Sequence, residues 1–315
     1  MTTHRCRCGG AQAEQPDEFD ARAAFENLSH KYRELSLAVA RYMAEASLDR
    51  PARVERAAAT AGFITRIVGG KPTDGFPECC LIGHASPGGS HQWFCTGVLV
   101  HPRIVLTAGH CNVTPPGERA PTVTTVALNV TSQDALGAPA ELIRVRRKYT
   151  HPGFIETREV HDITVLVLAR DAVTRPVPIA TTPELVAAGD VTLVGFGNTD
   201  FNSTVGFGLK REVSVRFDSL RTSKDQDLGA DETKYGYDSH LEFVAGGGGR
   251  DSCNGDSGGP AYIVSNGALK VAGLTSRGTA NSIHACGDSG IYTRIDANLE
   301  FVKQVAGKSG IDLGL

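Results

Sequence analysis

At 315 residues the chain has room for one large domain, or two, with an appendage. Hydrophobic residues make up 41% and charged residues 21%, an ordinary globular balance, and a formal net charge of −3 offers no footprint for nucleic acid or for an anionic membrane surface. No apolar run approaches the roughly 18 to 20 residues that span a bilayer, so neither nucleic acid nor membrane is expected as a partner.

Residues 1–16 are polar, lack periodicity and read as a tail. Their basic start is not followed by an apolar stretch, so no signal peptide is visible. The expectation is a cytoplasmic protein, unless a leader has been removed or export takes another route. Cys6 and Cys8, even with His4, fall short of a four-ligand metal site. From Asp17 the pattern changes. Phe25, Leu28, Tyr32, Leu35, Val39, Tyr42 and Met43 recur at three- and four-residue steps, which predicts an amphipathic helix over about 18–48. A single helix of that length cannot bury its own stripe, so it docks either on the rest of the chain or on a helical adaptor. Asp49-Arg50-Pro51 breaks it, because proline removes a donor and restricts its predecessor.

From Ile67 the texture is β. Apolar, β-branched runs fall at 98–100, 104–106, 123–130, 142–145, 163–168, 191–196, 213–217, 262–264 and 271–274, separated by Gly, Pro, Asn and Asp. Asn266-Gly267 between two such runs predicts a type I′ hairpin. No stretch suits a long βαβ crossover, so the fold class is all-β with antiparallel sheets. Residues 296–307 read as a C-terminal helix packing on the second half of this region.

The stretch Asp251-Ser252-Cys253-Asn254-Gly255-Asp256-Ser257-Gly258-Gly259-Pro260 carries the chemistry. It sets a serine among small residues, and a serine hydroxyl attacks only when a base removes its proton. Thr107-Ala108-Gly109-His110-Cys111 supplies a histidine, and His161-Asp162-Ile163-Thr164-Val165-Leu166 supplies an aspartate at the mouth of an apolar strand. Arg66-Ile67-Val68-Gly69-Gly70 adds a fourth motif. In this order the four segments resemble the chymotrypsin/trypsin family of serine proteases, over roughly residues 67–306.

The resemblance implies two antiparallel six-stranded β-barrels divided near 175–190, with catalysis in the cleft between them. It makes residues 1–66 a helical pro-segment and 67–315 the protease domain. Ser257 becomes the nucleophile, His110 its general base and then acid, and Asp162 the group that orients the imidazole. Backbone N–H groups of Gly255 and Ser257 face the developing oxyanion. Asp251 lies at the floor of the primary pocket, Gly278 and Gly290 form its walls, and the Ser276 backbone holds the substrate. Cleavage between Arg66 and Ile67 frees an α-amino group that pairs with Asp256. Two disulfides are implied, Cys95–Cys111 and Cys253–Cys286, although Cys286 comes a few residues late; Cys79 and Cys80 have no family partner. One departure stands out: Arg277 replaces the tryptophan beside the pocket entrance, adding positive charge near a cleft meant for cations.

The expected function is therefore a serine endopeptidase acting on proteins or peptides after Arg or Lys, made as a zymogen and matured by an activating protease. No cofactor and no metal are expected: GxxxxGK[ST], HExxH and paired CxxC motifs are all missing. Two alternatives stand beside it. One is the same protease with altered primary specificity; the other is a binding or regulatory module on the protease fold, recruited through its N-terminal helix.

Overall fold

The computed structural model describes residues 68–85, 90–113, 124–220 and 228–314. All belong to the second of two units of the chain, Ile64–Leu315. The helix expected over 18–48, together with Arg66 and Ile67, lies outside the described residues.

Thirteen strands are described. A two-residue strand, β1 (Lys71–Pro72), precedes the first barrel. That barrel consists of β2 (Cys79–Ala85), β3 (His91–His101), β4 (Ile104–Thr107), β5 (Thr124–Leu128), β6 (Glu141–Thr150) and β7 (Thr164–Leu168), closed in the order β2-β3-β4-β7-β6-β5. The second holds β8 (Asp190–Gly195), β9 (Arg211–Ser219), β10 (Glu242–Ala245), β11 (Pro260–Ser265), β12 (Ala268–Gly278) and β13 (Gly290–Arg294). Its order is β9-β10-β13-β12-β11-β8, and pairing of β8 with β9 from Asp190↔Arg216 to Gly195↔Arg211 closes the ring, with β1 added outside β9. Every strand pair is antiparallel, and closure leaves no long unpaired edge.

Successive side chains on a strand point to opposite faces, yet β4 and β7 are apolar almost throughout. Burial on both faces is the reason. In β7, Leu166 and Leu168 join Ile82, Leu99, Val126 and Ile143 inside the first barrel. Val165 and Val167, on its other face, join a layer shared with Val194, Tyr262 and Val271 of the second barrel. Val213, Phe243, Ala261, Ile263 and Tyr292 fill the second barrel in the same way. The hairpin expected at Asn266-Gly267 is present: both residues have positive φ, 50° and 74°, and Ser265 faces Ala268 across the turn.

The C-terminal helix begins as a 3-10 turn, Asp296–Asn298, and continues as an α-helix over Leu299–Lys308. Its Val302, Val305 and Ala306 enter the layer shared by the two barrels rather than packing on the second alone. Phe301 meets His151 edge-on, and Asn298 Oδ1 is 2.8 Å from His161 Nδ1. Two further helices, Thr182–Ala187 and Leu228–Tyr235, were not expected; six and eight residues are too few for a helical period to register. Thr181 and Glu184 nevertheless form a capping box at the first, a local signature with Pro183 in the opening turn. Among the described residues no helix is long and apolar enough to cross a membrane.

Candidate active site

Strand register brings the histidine and the first aspartate together. β4 and β7 pair from Ile104↔Val167 to Thr107↔Thr164, so the residues just after Thr107 and just before Thr164 emerge at the same end. His110 opens a 3-10 turn there, and Asp162 lies two residues ahead of β7. His110 Nδ1 is 2.8 Å from Asp162 Oδ2, and the His110 backbone N–H donates to Oδ1 at 2.9 Å. Glycine at 109 eases this approach, since a Cβ there would stand 3.0 Å from Asp162 Oδ1. Ser276 Oγ donates to Asp162 Oδ2 at 2.7 Å. The sequence reading gave Ser276 only a backbone role, so its side-chain contact is an addition.

The Asp162 side chain is fully buried. Burial alone would raise its pKa, but the hydrogen bond and charge of His110, with the Ser276 hydroxyl, bring it below the ordinary carboxylate value. Burial likewise disfavours charge on His110, yet Asp162 and, more weakly, Glu159 outweigh it and raise that pKa above 6.5. An imidazole that gives its Nδ1–H to a buried carboxylate keeps Nε2 as its acceptor, which is the state a proton-taking base needs.

Ser257 lies in the loop between β10 and β11. The Thr96 N–H donates to the Ser257 carbonyl at 2.9 Å, and Thr96 Oγ1 to the Gly255 carbonyl at 2.8 Å. Gly258, at φ 75°, approaches Thr107 and Ala108 so closely that a Cβ would collide with the Ala108 nitrogen at 2.5 Å. The loop is thereby pressed against the end of β4 that leads into His110. Gly255 has φ 96°, and a Cβ there would overlap Phe207. Among the described residues, the N–H groups of Gly255 and Ser257 have no protein acceptor. The Ser257 hydroxyl makes no hydrogen bond to His110, and such contacts are frequently long before substrate arrives.

Among the described residues, neither of the two acids beside the serine loop forms an ion pair, although Arg211 attracts Asp256 from a distance. Asp251 is 3% exposed; its carboxylate accepts from the Ser252 N–H at 2.7 Å, the Tyr292 hydroxyl at 3.2 Å and the Gly287 N–H at 3.3 Å. Burial dominates over these donors and pushes its pKa up to about 7. Asp251, Ser257, Ser276, Gly278 and Gly290 line one narrow pocket. A Cβ on Gly290 would stand 2.9 Å from Asp251 Oδ1, whereas one on Gly278 would meet only Ser282 Oγ at 3.9 Å. Asp256 is 2% exposed and accepts from the N–H groups of Gly197, at 2.7 Å, and Cys253, at 2.9 Å. Burial again prevails, raising its pKa to about 6.

Val68, the first described residue, is bridged to Asp251: its carbonyl accepts the Asp251 N–H at 3.1 Å, and its side chain packs with Cys253 and Cys286. Both implied disulfides are present, Cys95–Cys111 and Cys253–Cys286. Cys79 and Cys80 are free and buried, and burial raises both thiol pKa values. One cluster of metal-ligating residue types includes the disulfide-bonded Cys95 and Cys111; the other joins His110, Glu159 and Asp162, where Asp162 is already satisfied by three donors.

Arg277 does not add a loose positive charge beside the cleft, as its replacement of tryptophan suggested. Its guanidinium grips Glu242, a carboxylate with no exposure, at 2.6 and 3.0 Å. The same group donates to the Glu159 carbonyl, the Gly236 carbonyl and Ser276 Oγ. Glu242 and Glu159 were missed by sequence reasoning; the unusual arginine was the only available signal that an acid must lie nearby.

A family model described as Trypsin matches residues 67–302. The chain is 31% identical over 257 residues to a protein named Serine protease snk of Drosophila melanogaster, covering 77% of this chain and 57% of that one. It is 29% identical to a Trypsin of Saccharopolyspora erythraea, covering 73% and 94% respectively. A third relative, Proclotting enzyme of Tachypleus tridentatus, is 29% identical, with 76% of this chain and 66% of that one covered.

Proposed function

The chain belongs to the trypsin family of serine proteases, and we propose that it is an endopeptidase that cuts after Arg or Lys and is switched on by cleavage between Arg66 and Ile67. The observation that carries the specificity is Asp251. It is a buried carboxylate with no cation partner among the described residues, in the pocket that Ser257 also lines. A guanidinium or ammonium entering that pocket supplies the missing charge.

In the reaction, His110 Nε2 takes the Ser257 proton as Oγ bonds to the scissile carbonyl carbon. Asp162 stabilises the imidazolium that forms, and the Gly255 and Ser257 N–H groups receive the oxyanion. His110 then gives its proton to the leaving amine, and water releases the acyl group by the reverse sequence. This mechanism is carried over from the family's reference members; its assignment to these positions rests on the contacts above.

Activation rests on Asp256. Its carboxylate is buried on two backbone donors, and the chain one residue past Ile67 is bridged to Asp251. A new α-amino group on Ile67 supplies the direct ion pair that Asp256 does not form among the described residues, and stabilises the loop that carries the Gly255 donor. The test is to cleave the full chain after Arg66, label Ser257 with an active-site phosphonate and assay peptides ending in Arg, Lys or Phe. Labelling with hydrolysis restricted to Arg and Lys supports the reading. Labelling with a Phe preference refutes the assigned specificity, and no labelling refutes catalysis.

A further inference from the structure

A peptide with its basic side chain at Asp251 and the following carbonyl at Ser257 would leave its preceding residue at the rim of that pocket, which Arg277 lines. Arg277 lines both the Asp251 pocket and a wider depression shared with Glu156, Arg158, Glu159, Glu232 and Asp238. Three of these six charges are already engaged. Arg277 is held bidentate by Glu242. Glu232 Oε1 accepts from the N–H and hydroxyl of Ser239, and Asp238 Oδ1 accepts the His240 N–H. Glu156 and Arg158 are exposed, where solvent screens them.

Glu159 is different. It is half-buried, and a carboxylate oxygen lies within 4.8 Å of a ring nitrogen of His110. That carboxylate has no hydrogen bond or ion pair among the described residues. Its backbone is held at φ 48°, with its carbonyl accepting from Arg277 Nη1 at 3.2 Å. So a partly desolvated carboxylate on a held backbone lies beside the histidine, and Arg277, which attracts it, is committed to Glu242.

We propose that Glu159 determines specificity for the residue immediately before the cleaved Arg or Lys, selecting Lys or Arg there, so that the substrates are peptides with paired basic residues. This deepens the function proposed above and rests on it. Substrate would occupy two negative positions in succession, Asp251 in the pocket and Glu159 beside His110. Arg277 is a positioning residue in this scheme, because it holds the Glu159 backbone while its own charge is cancelled. A consequence follows for maturation. The residue before Arg66 is Thr65, so the chain's own junction lacks the second basic residue and is a poor substrate for a neighbouring active copy.

The experiment uses the full chain cleaved after Arg66, with active enzyme counted by phosphonate titration of Ser257. Three peptides differ only in Lys, Gln or Glu before a common Arg. The parent should hydrolyse the Lys peptide about fivefold faster in kcat/KM than the Gln peptide, with Glu slowest, as fits a partly exposed ion pair. In Glu159→Gln the Lys-to-Gln ratio should fall to about one, and Glu159→Lys should reverse the order of Lys and Glu. Hydrolysis of the three peptides at equal rates by the parent, or a Lys preference that survives in Glu159→Gln, overturns the assignment of Glu159 alone. No hydrolysis of any of them by titrated parent enzyme overturns the Arg/Lys specificity and this inference together.

Discussion

Replacing Asp251 by Asn removes the charge at the pocket floor and keeps the side chain's shape. In the empty pocket burial pushes the Asp251 pKa to about 7, against about 3.9 in an unfolded chain, so ionising it there costs about 4 kcal/mol. The folded-state value lies above the unfolded one. The stability tied to the neutral acid is therefore complete below about pH 4 and is lost as pH rises through about 7. Asp251→Asn stays neutral throughout. It should match the parent near pH 4 and exceed it by up to about 4 kcal/mol at pH 9, a large share of the about 5 to 15 kcal/mol that holds a typical domain folded. Denaturant unfolding in a Ser257→Ala background, which prevents self-digestion, measures this difference. The same substitution removes one partner of the pair formed with a bound Arg, a loss of about 3 to 5 kcal/mol, so kcat/KM for Arg peptides should drop by about 10^2- to 10^4-fold. Stability curves that coincide at pH 9, together with an unchanged preference for Arg, would refute the reasoning that the pocket is organised around an unpaired carboxylate.

Three other outcomes are expected. Arg66→Gln should leave an intact chain with little activity after exposure to an activating protease, checked by N-terminal sequencing and peptide hydrolysis; full activity in an uncleaved chain would contradict the role given to Asp256. The acid limb of kcat/KM in the activated enzyme should lie above pH 6.5, because His110 must be neutral to take a proton and Asp162 raises its pKa; Asp162→Asn should move the limb down and lower kcat by about 10^4-fold, a magnitude carried over from the family's reference mechanism. Glu242→Ala should destabilise the protein by about 3 to 5 kcal/mol in denaturant unfolding, since it strands the Arg277 guanidinium, whereas changing Arg277 to Trp and Glu242 to Met together should recover most of that loss.

Much of the fold and the core of the site could be read from the chain itself, because both are written in local patterns. β4 and β7 announce themselves as unbroken apolar runs because each buries both faces, whereas β2 was not read as a strand and β6 is largely exposed; Asn266-Gly267 marks its hairpin through its tolerance of positive φ. The His110, Asp162 and Ser257 segments are short motifs whose glycines are set by local approach, as at Gly109 and Gly258. What periodicity reports is burial, and it carries no address for the partner. Arg277 and Glu242 sit on β12 and β10, separated by β13, and they meet only because Arg277 faces Ile291 across one ladder while Ile291 faces Val244 across the next. That register, absent from any window of sequence, turned an arginine expected to burden the cleft into a neutralised clamp. Contact between the two barrels, equally invisible in sequence, brings the Ser276 hydroxyl to Asp162, while Glu159 stays without an ion pair beside His110 among the described residues.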